Sequence, residues 1–374
     1  MSAGYTVTLS YTPNTKEMRV IIEPTENTDL PLTNEGYTAP ATKADATVTQ
    51  IGQWYGDQTY VNERFYPREG IYNTIGTKKD FATGNYTSGM GYVIRLEDGS
   101  FIVVDGGYDT ETHVDNLYNV LFEQSEGKGI VIAAWVFTHA HNDHADAFKI
   151  FTNKYAPDVT IESFIFNFPA NEAAEAGDVS APNLDQLYAA MDAYGNAKRI
   201  VARAGQIHTV RNAKINVLFT YDMMLPYTLV DYNVCSVVFN VEIEGSKILF
   251  LGDAGGETDV ARGTLSYMLD IYTSTTLGAD IVQVAHHGID AENSKGTVAD
   301  FYEAVGADYA FIPVADNYIK IGEDLFWIDE RAAYTAIKNT ATIYLAADDV
   351  VVLIIKNGGV SGKTYVDVSA YVNS

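Results

Sequence analysis

Residues 136–148 read VFTHAHNDHADAF, and His139 to Asp146 concentrate three of the chain's seven histidines together with two aspartates. Neutral imidazole nitrogen and carboxylate oxygen are the donor atoms that a borderline cation such as zinc prefers. The spacing of His139 and His141 lets one turn aim both rings at a single ion, and Asp143 and His144, a step further on, can face a second ion beside it. Without a cation these groups would compete for little space at the end of an apolar run, IVIAAWVFT. Two later runs end in the same manner. KILFLGDAGG carries Asp253, and DIVQVAHHG carries His286 and His287, each just past an apolar segment. A strand-terminal Asp by itself reads as a turn former. The three pieces together point to a metal centre assembled at the ends of neighbouring strands.

Strands are therefore the elements that must deliver these groups. GYVIRLEDGSFIVVDGG reads as a hairpin whose second arm ends at Asp105 and a Gly pair, followed by a helix over THVDNLYNVLFEQ. KINVLFTY, CSVVFNVEI, KILFLGDA, DIVQVAHHG, DYAFIPV and VVVLIIK are further short, β-branched strands. Helices are expected in AAEAGDVSAPNLDQLYAAMDAYG, VARGTLSYMLDIY, GTVADFYEAVG and DERAAYTAIKN. Strands with helices between them over residues 61–374 predict an α/β sandwich, with sheets inside and helices outside. Residues 1–60 differ: GYTVTLSYT and KEMRVIIEPT alternate as paired strands around the turn PNTK, and a polar, Thr-rich stretch follows. They read as a small N-terminal β extension and linker.

Composition narrows the partners. The chain has 24 Lys and Arg against 49 Asp and Glu, a formal charge of −25. Such a surface repels phosphate backbones, which are normally bound through Lys and Arg, so a small-molecule substrate is expected and a long nucleic acid is not. No run approaches the ~18 apolar residues of a membrane span, and the N-terminus lacks the basic and apolar regions of a signal peptide. Cys235 is the single cysteine, which excludes an internal disulfide and a cysteine-rich zinc module. Thr, Asn and Tyr enrichment with few Lys tilts the expectation towards an extracellular or cell-surface setting over a cytoplasmic one. Oligomeric state is not legible.

The motif H-x-H-x-D-H, then LGDA, then VAHHG, preceded by VVDGG, resembles the metallo-β-lactamase fold superfamily of metal-dependent hydrolases. NVCSVVFNVEIEGSKILFLGDAG followed by DIVQVAHHG is most similar to the hydrolase domain of the ComEC/Rec2 competence proteins, over about residues 85–360. The resemblance implies a four-layer αβ/βα sandwich with a two-metal site, filled by zinc (one or two ions) or by manganese. It implies that His139 and His141 hold one metal, that Asp143, His144 and His286 hold the other, and that Asp253 bridges them. His286 is preferred to His287 because the family's metal-binding His directly ends its strand, leaving His287 to meet substrate or support the loop. Asp105 resembles a residue that orients the ligand loop by hydrogen bonds. Asn233 and Ser236 match the Asn-x-x-Ser that precedes the Gly-Asp motif.

One departure concerns the first metal. Many members carry another His between the opening motif and the bridging Asp. Here that interval holds His208, before a strand instead of at its end, and Asp222 sits nearer the expected place. His208 therefore reads as structural, and His113 as a helical surface residue. The activity implied is hydrolysis of an ester or phosphodiester by water activated at the metals, with Asp143 orienting that water. The alternatives are a ComEC-like nuclease and a surface module that binds metal without turnover. β-Lactamase activity is disfavoured, since those enzymes do not share the Gly-Asp-Ala and His-His-Gly pairing.

Overall fold

The computed structural model describes residues 5–12, 17–24, 30–51, 89–169, 183–224, 232–255, 263–289, 295–314, 318–321, 324–346 and 350–366. Strands β1 (Tyr5–Thr12) and β2 (Glu17–Pro24) form the expected hairpin, a two-stranded sheet of its own. Strand β3 (Ala46–Gln50) lies in the stretch that reads as linker, yet it is buried throughout and pairs with β4 (Gly91–Arg95) inside a nine-stranded sheet. Its five residues, ATVTQ, are too short and too rich in Thr to stand out by hydropathy.

That sheet continues with β5 (Phe101–Asp105), helix α1 (Glu111–Gln124), β6 (Ile130–Val136), helix α2 (Asn142–Tyr155), β7 (Val159–Ile161), β8 (Ser163–Phe166), helix α3 (Leu184–Asp192) and β9 (Lys198–Val201). The first part of the expected helix AAEAGDVSAPNLDQLYAAMDAYG, residues 173–182, lies outside the described residues.

The chain then builds a seven-stranded sheet. It uses β10 (Ile207–Val210), β11 (Ala213–Phe219), β12 (Val238–Ile243), β13 (Ser246–Phe250), helices α4 (Thr264–Ile271) and α5 (Ser274–Leu277), and β14 (Ile281–Gln283). Helix α6 (Lys295–Val305) and β15 (Tyr309–Ile312) follow. A second hairpin, β16 (Tyr318–Ile321) and β17 (Asp324–Trp327), precedes helix α7 (Ala332–Ile337) and the sheet's last strand, β18 (Thr342–Leu345). Finally β19 (Val350–Lys356) and β20 (Gly359–Val366) return to the first sheet, where β19 pairs with β3.

Three apolar layers fill this arrangement. Strand alternation sends successive side chains to opposite faces. Thus Phe101 and Val103 of β5 pack towards α1 and α2 with Trp135, Phe148 and Phe151, whereas Ile102 and Val104 join Phe239, Phe250 and Phe311 between the two sheets. Leu249 and Val282 face the other way, onto Met268 and Phe301 of α4 and α6. The result is helix, sheet, sheet, helix: the four-layer sandwich. Each fully buried Phe or Leu contributes roughly 1.5–3 kcal/mol relative to an exposed one. Such layers hold the strand ends in fixed register, and register is what places the site.

Candidate metal centre

Strand β6 ends at Val136, the chain turns through Thr138 to His141, and helix α2 begins at Asn142 with His141 as its N-cap. His139 and His141 sit in the turn, while Asp143 and His144 occupy the first helical turn. There the unpaired N–H groups of the helix favour negative charge. Gly106 and Gly107 brace this turn from behind. Gly107 N–H donates to His144 O (3.2 Å) and Ala147 N–H to Gly107 O (2.9 Å), and a Cβ on Gly106 would lie 3.3 Å from the Ala147 Cβ.

The described residues form two groups of potential ligand atoms, and both contain Asp253: His139, His141 and Asp253, and Asp143, His144, Asp253 and His287. His139 Nε2 faces His141 Nδ1 at 3.1 Å and lies 3.8 Å from Asp253 Oδ2. His287 Nε2 lies 3.1 Å from Asp143 Oδ2, 3.4 Å from Asp253 Oδ2 and 3.3 Å from His144 Nε2. Five residues singled out from sequence, His139, His141, Asp143, His144 and Asp253, thus converge. The histidine that joins them is His287, in place of the expected His286. His286 Nε2 is 4.0 Å from Asp253 Oδ2, and its side chain is 26% exposed against 2% for His287. Both residues adopt left-handed backbone (φ 48° and 53°), so the turn after β14 does not continue the strand's alternation and the second ring is the one swung inward.

The outer nitrogens of three imidazoles are tied down. His144 Nδ1 donates to Asp105 Oδ2 (2.8 Å) and His287 Nδ1 to Pro313 O (2.9 Å). Thr138 Oγ1 donates to Asp105 Oδ2 (2.7 Å) and so accepts from His139 Nδ1 (3.1 Å). With its outer nitrogen donating, each of these rings in its neutral form presents the Nε2 lone pair inward. Lone pairs and carboxylate oxygens then crowd one small buried space, where Asp253 Oδ1 lies 3.2 Å from His144 Nε2. Only positive charge reconciles such a donor set, and its nitrogen and oxygen chemistry fits a divalent cation.

Left to protons alone, the cluster shows the same demand. Burial disfavours charge on His144 and His287, but Asp253 and Asp143 outweigh it, holding His144 well above its ordinary value and pushing His287 up to about 10. Burial opposes ionisation of Asp143 and Asp253 too, yet the neighbouring His144 and His287 charges keep both carboxylates far below the usual range. His139 goes the other way, driven down by burial and by the charge on His144.

The remaining expected residues divide. Asp105 is fully buried beneath the site, and besides His144 it accepts from Thr138 N–H (2.8 Å). Burial raises its carboxyl despite these partners. Ser236 Oγ accepts from Asp253 N–H (3.0 Å) and lies 3.4 Å from His139 Nδ1, while Asn233 Nδ2 is 3.4 Å from His286 Nε2. Asp222 joins neither cluster, and its Oδ1 accepts from Asn167 Nδ2 (3.1 Å). His208 is buried elsewhere and accepts from Leu32 N–H (3.1 Å). His113, expected on the surface, is fully buried on α1, and burial lowers it to about 4. The sequence reading passed over Thr138, although it stands within the opening motif.

Solved structures similar to the chain include the metallo-beta-lactamase fold protein YhfI from Bacillus subtilis (12% identity, TM-score 0.45, covering 80% of this chain and 97% of that one). Others are Tm1679, a metal-dependent hydrolase of the beta-lactamase superfamily (12%, TM-score 0.40, 70% and 94%), and Zn(2+)-bound PqqB from Methylobacterium extorquens (10%, TM-score 0.41, 80% and 97%). A search of curated proteins finds no match. The family model described as the Metallo-beta-lactamase superfamily matches residues 86–295, from just before β4 to past His287 and over more than half of the 374 residues, and the chain belongs to that superfamily.

Proposed function

We infer that the protein is a metal-dependent hydrolase of a small ester or phosphodiester, with zinc or manganese held by His139 and His141 on one side, Asp143, His144 and His287 on the other, and Asp253 between them. The observation that carries this reading is the convergence of inward lone pairs and carboxylate oxygens on one carboxylate shared by two clusters. Divalent cations bound there would supply Lewis acidity and a water acidic enough to react near neutral pH.

The chain's own residues do the rest. Asp143, at the start of helix α2 and with Oδ2 3.1 Å from His287 Nε2, would accept a hydrogen bond from the attacking water and orient it. Asp105 and Pro313 O keep protons on the outer nitrogens of His144 and His287, so the two rings stay aimed inward. His286 and Asn233, on the more exposed side, present polar atoms where a substrate oxygen would arrive. The charge of −25 supports a compact substrate over a nucleic-acid strand, and so weighs against a ComEC-like nuclease.

Elemental analysis of the purified protein, run beside bis-p-nitrophenyl phosphate, a lactone, a thioester and nitrocefin, tests the reading. Bound zinc or manganese with turnover of the phosphodiester or lactone, lost in Asp253→Asn, is the expected result. Bound metal with no turnover would favour a metal-binding surface module. Cleavage of single-stranded DNA that disappears in His141→Ala would favour the nuclease.

A further inference from the structure

We propose that Gln283 is a positioning residue that sets the Asp253 carboxylate in place before any cation arrives. This rests on reading the two clusters as a metal centre. Asp253 lies in a turn closed by Ala254 N–H donating to Leu251 O (3.1 Å), at the end of β13. Gln283 ends the neighbouring parallel strand β14 and is fully buried. Its side chain shares with Ile281 the face turned to the layer between the sheets. Oε1 accepts from Leu251 N–H (2.7 Å) and Gly252 N–H (2.8 Å), while Nε2 donates to Gly252 O (3.0 Å) and Val284 O (2.7 Å). All four hydrogen-bonding positions of the amide are used, and three of them hold the two residues immediately before Asp253.

No other side-chain type supplies two acceptor directions and two donors in one plane at this reach, apart from the shorter Asn. The clamp also links the two halves of the site. Gly252 O accepts from His286 N–H (3.1 Å), so one carbonyl joins the Asp253 turn to the His286–His287 turn. From the other side, Ser236 Oγ accepts from Asp253 N–H. A carboxylate that must sit between two ions tolerates little displacement, and outlying partners of metal ligands typically govern 10–100-fold in metal affinity.

The test is calorimetric titration of zinc and of manganese into chelator-treated wild type, Gln283→Met and Ile281→Val. Gln283→Met keeps the length and removes all four hydrogen bonds. Ile281→Val perturbs the same strand without touching the turn. The expected result is metal binding weakened about tenfold or more in Gln283→Met and unchanged in Ile281→Val. Wild-type affinity in folded Gln283→Met overturns the proposal, and wild-type protein that takes up no cation overturns the metal-centre reading and the proposal with it. Hydrogen exchange on metal-free wild type tests it without a variant. The Leu251 and Gly252 amides should already be protected, and fast exchange that slows only on adding zinc would show that the metal, not Gln283, orders the turn.

Discussion

Asp253 belongs to both candidate ligand groups, and His287 to one of them. His286 and His287 are adjacent and chemically identical, so only geometry separates them. His287→Ala should abolish tight binding at the Asp143 and His144 side, whereas His286→Ala should retain the wild-type metal content and lose turnover mainly through substrate handling. Metal content by elemental analysis, paired with kcat and KM, distinguishes the two, and equal metal loss in both variants would reject the assignment. Asp105 offers a second probe. Its oxygens accept three hydrogen bonds while fully buried. Asparagine would turn an N–H against one of those donors, so Asp105→Asn should weaken zinc binding about 10–100-fold, read by competition with a chromophoric chelator.

Among the elements, the strand-end turns carry the most constraint. Gly252 has φ +56°, and a Cβ there would lie 2.8 Å from the Thr138 Cβ and 2.9 Å from the Ser236 Oγ. Gly252→Ala therefore combines a left-handed alanine with overlap against two residues that touch the site, effects each worth about 1–3 kcal/mol. Chemical denaturation should show a loss of at least about 2 kcal/mol, with weaker metal uptake by the folded fraction. An alanine variant as stable as wild type would mean that the turn can relax. At this scale the sequence was partly legible. Segments such as α1 and the β4–β5 hairpin emerge at nearly their expected bounds because their apolar spacing is decisive. Strand β3 was hidden: a five-residue segment buried on both faces need not alternate, and its Thr residues resemble the linker beside it.

For the molecule as a whole, burial of histidines away from the site sets an acid limit. His113 and His208 are both lowered by burial from 6.5 to about 4. The unfolded chain therefore takes up their protons first as pH falls, and folding stability contributed above pH 6.5 is lost progressively down to pH 4. His139 adds to this in metal-free protein. His144 and His287, raised in the folded state, have completed their contribution by pH 6.5 and are flat across the window. A tenfold difference in proton affinity corresponds to about 1.4 kcal/mol, so each lowered histidine accounts for about 3 kcal/mol at most. Urea midpoints in chelator should fall steadily between pH 6.5 and 4.5, less steeply in His208→Gln. A flat profile would contradict the burial argument. His208 also ties Leu32 to β10, and the neighbouring Asn34 and Arg211 exchange hydrogen bonds of 2.6 and 2.8 Å, which is how residues 30–45 are held across the sheets.

Residue types and their order were enough to point to the superfamily and to a candidate metal site. Three histidines and an aspartate after a buried strand, followed by strand-terminal Asp and His, have few uses besides holding a cation, because nothing else relieves so many acceptors. The tertiary structure alone decided which of two neighbouring histidines turns inward, that Asp222 stands apart, and that a buried glutamine holds the turn before Asp253. Those outcomes depend on left-handed backbone angles and on contacts between residues more than 30 positions apart, as between Gln283 and Leu251. Linear spacing carries information about which groups can share a face. It carries none about which atoms meet once two sheets close on each other.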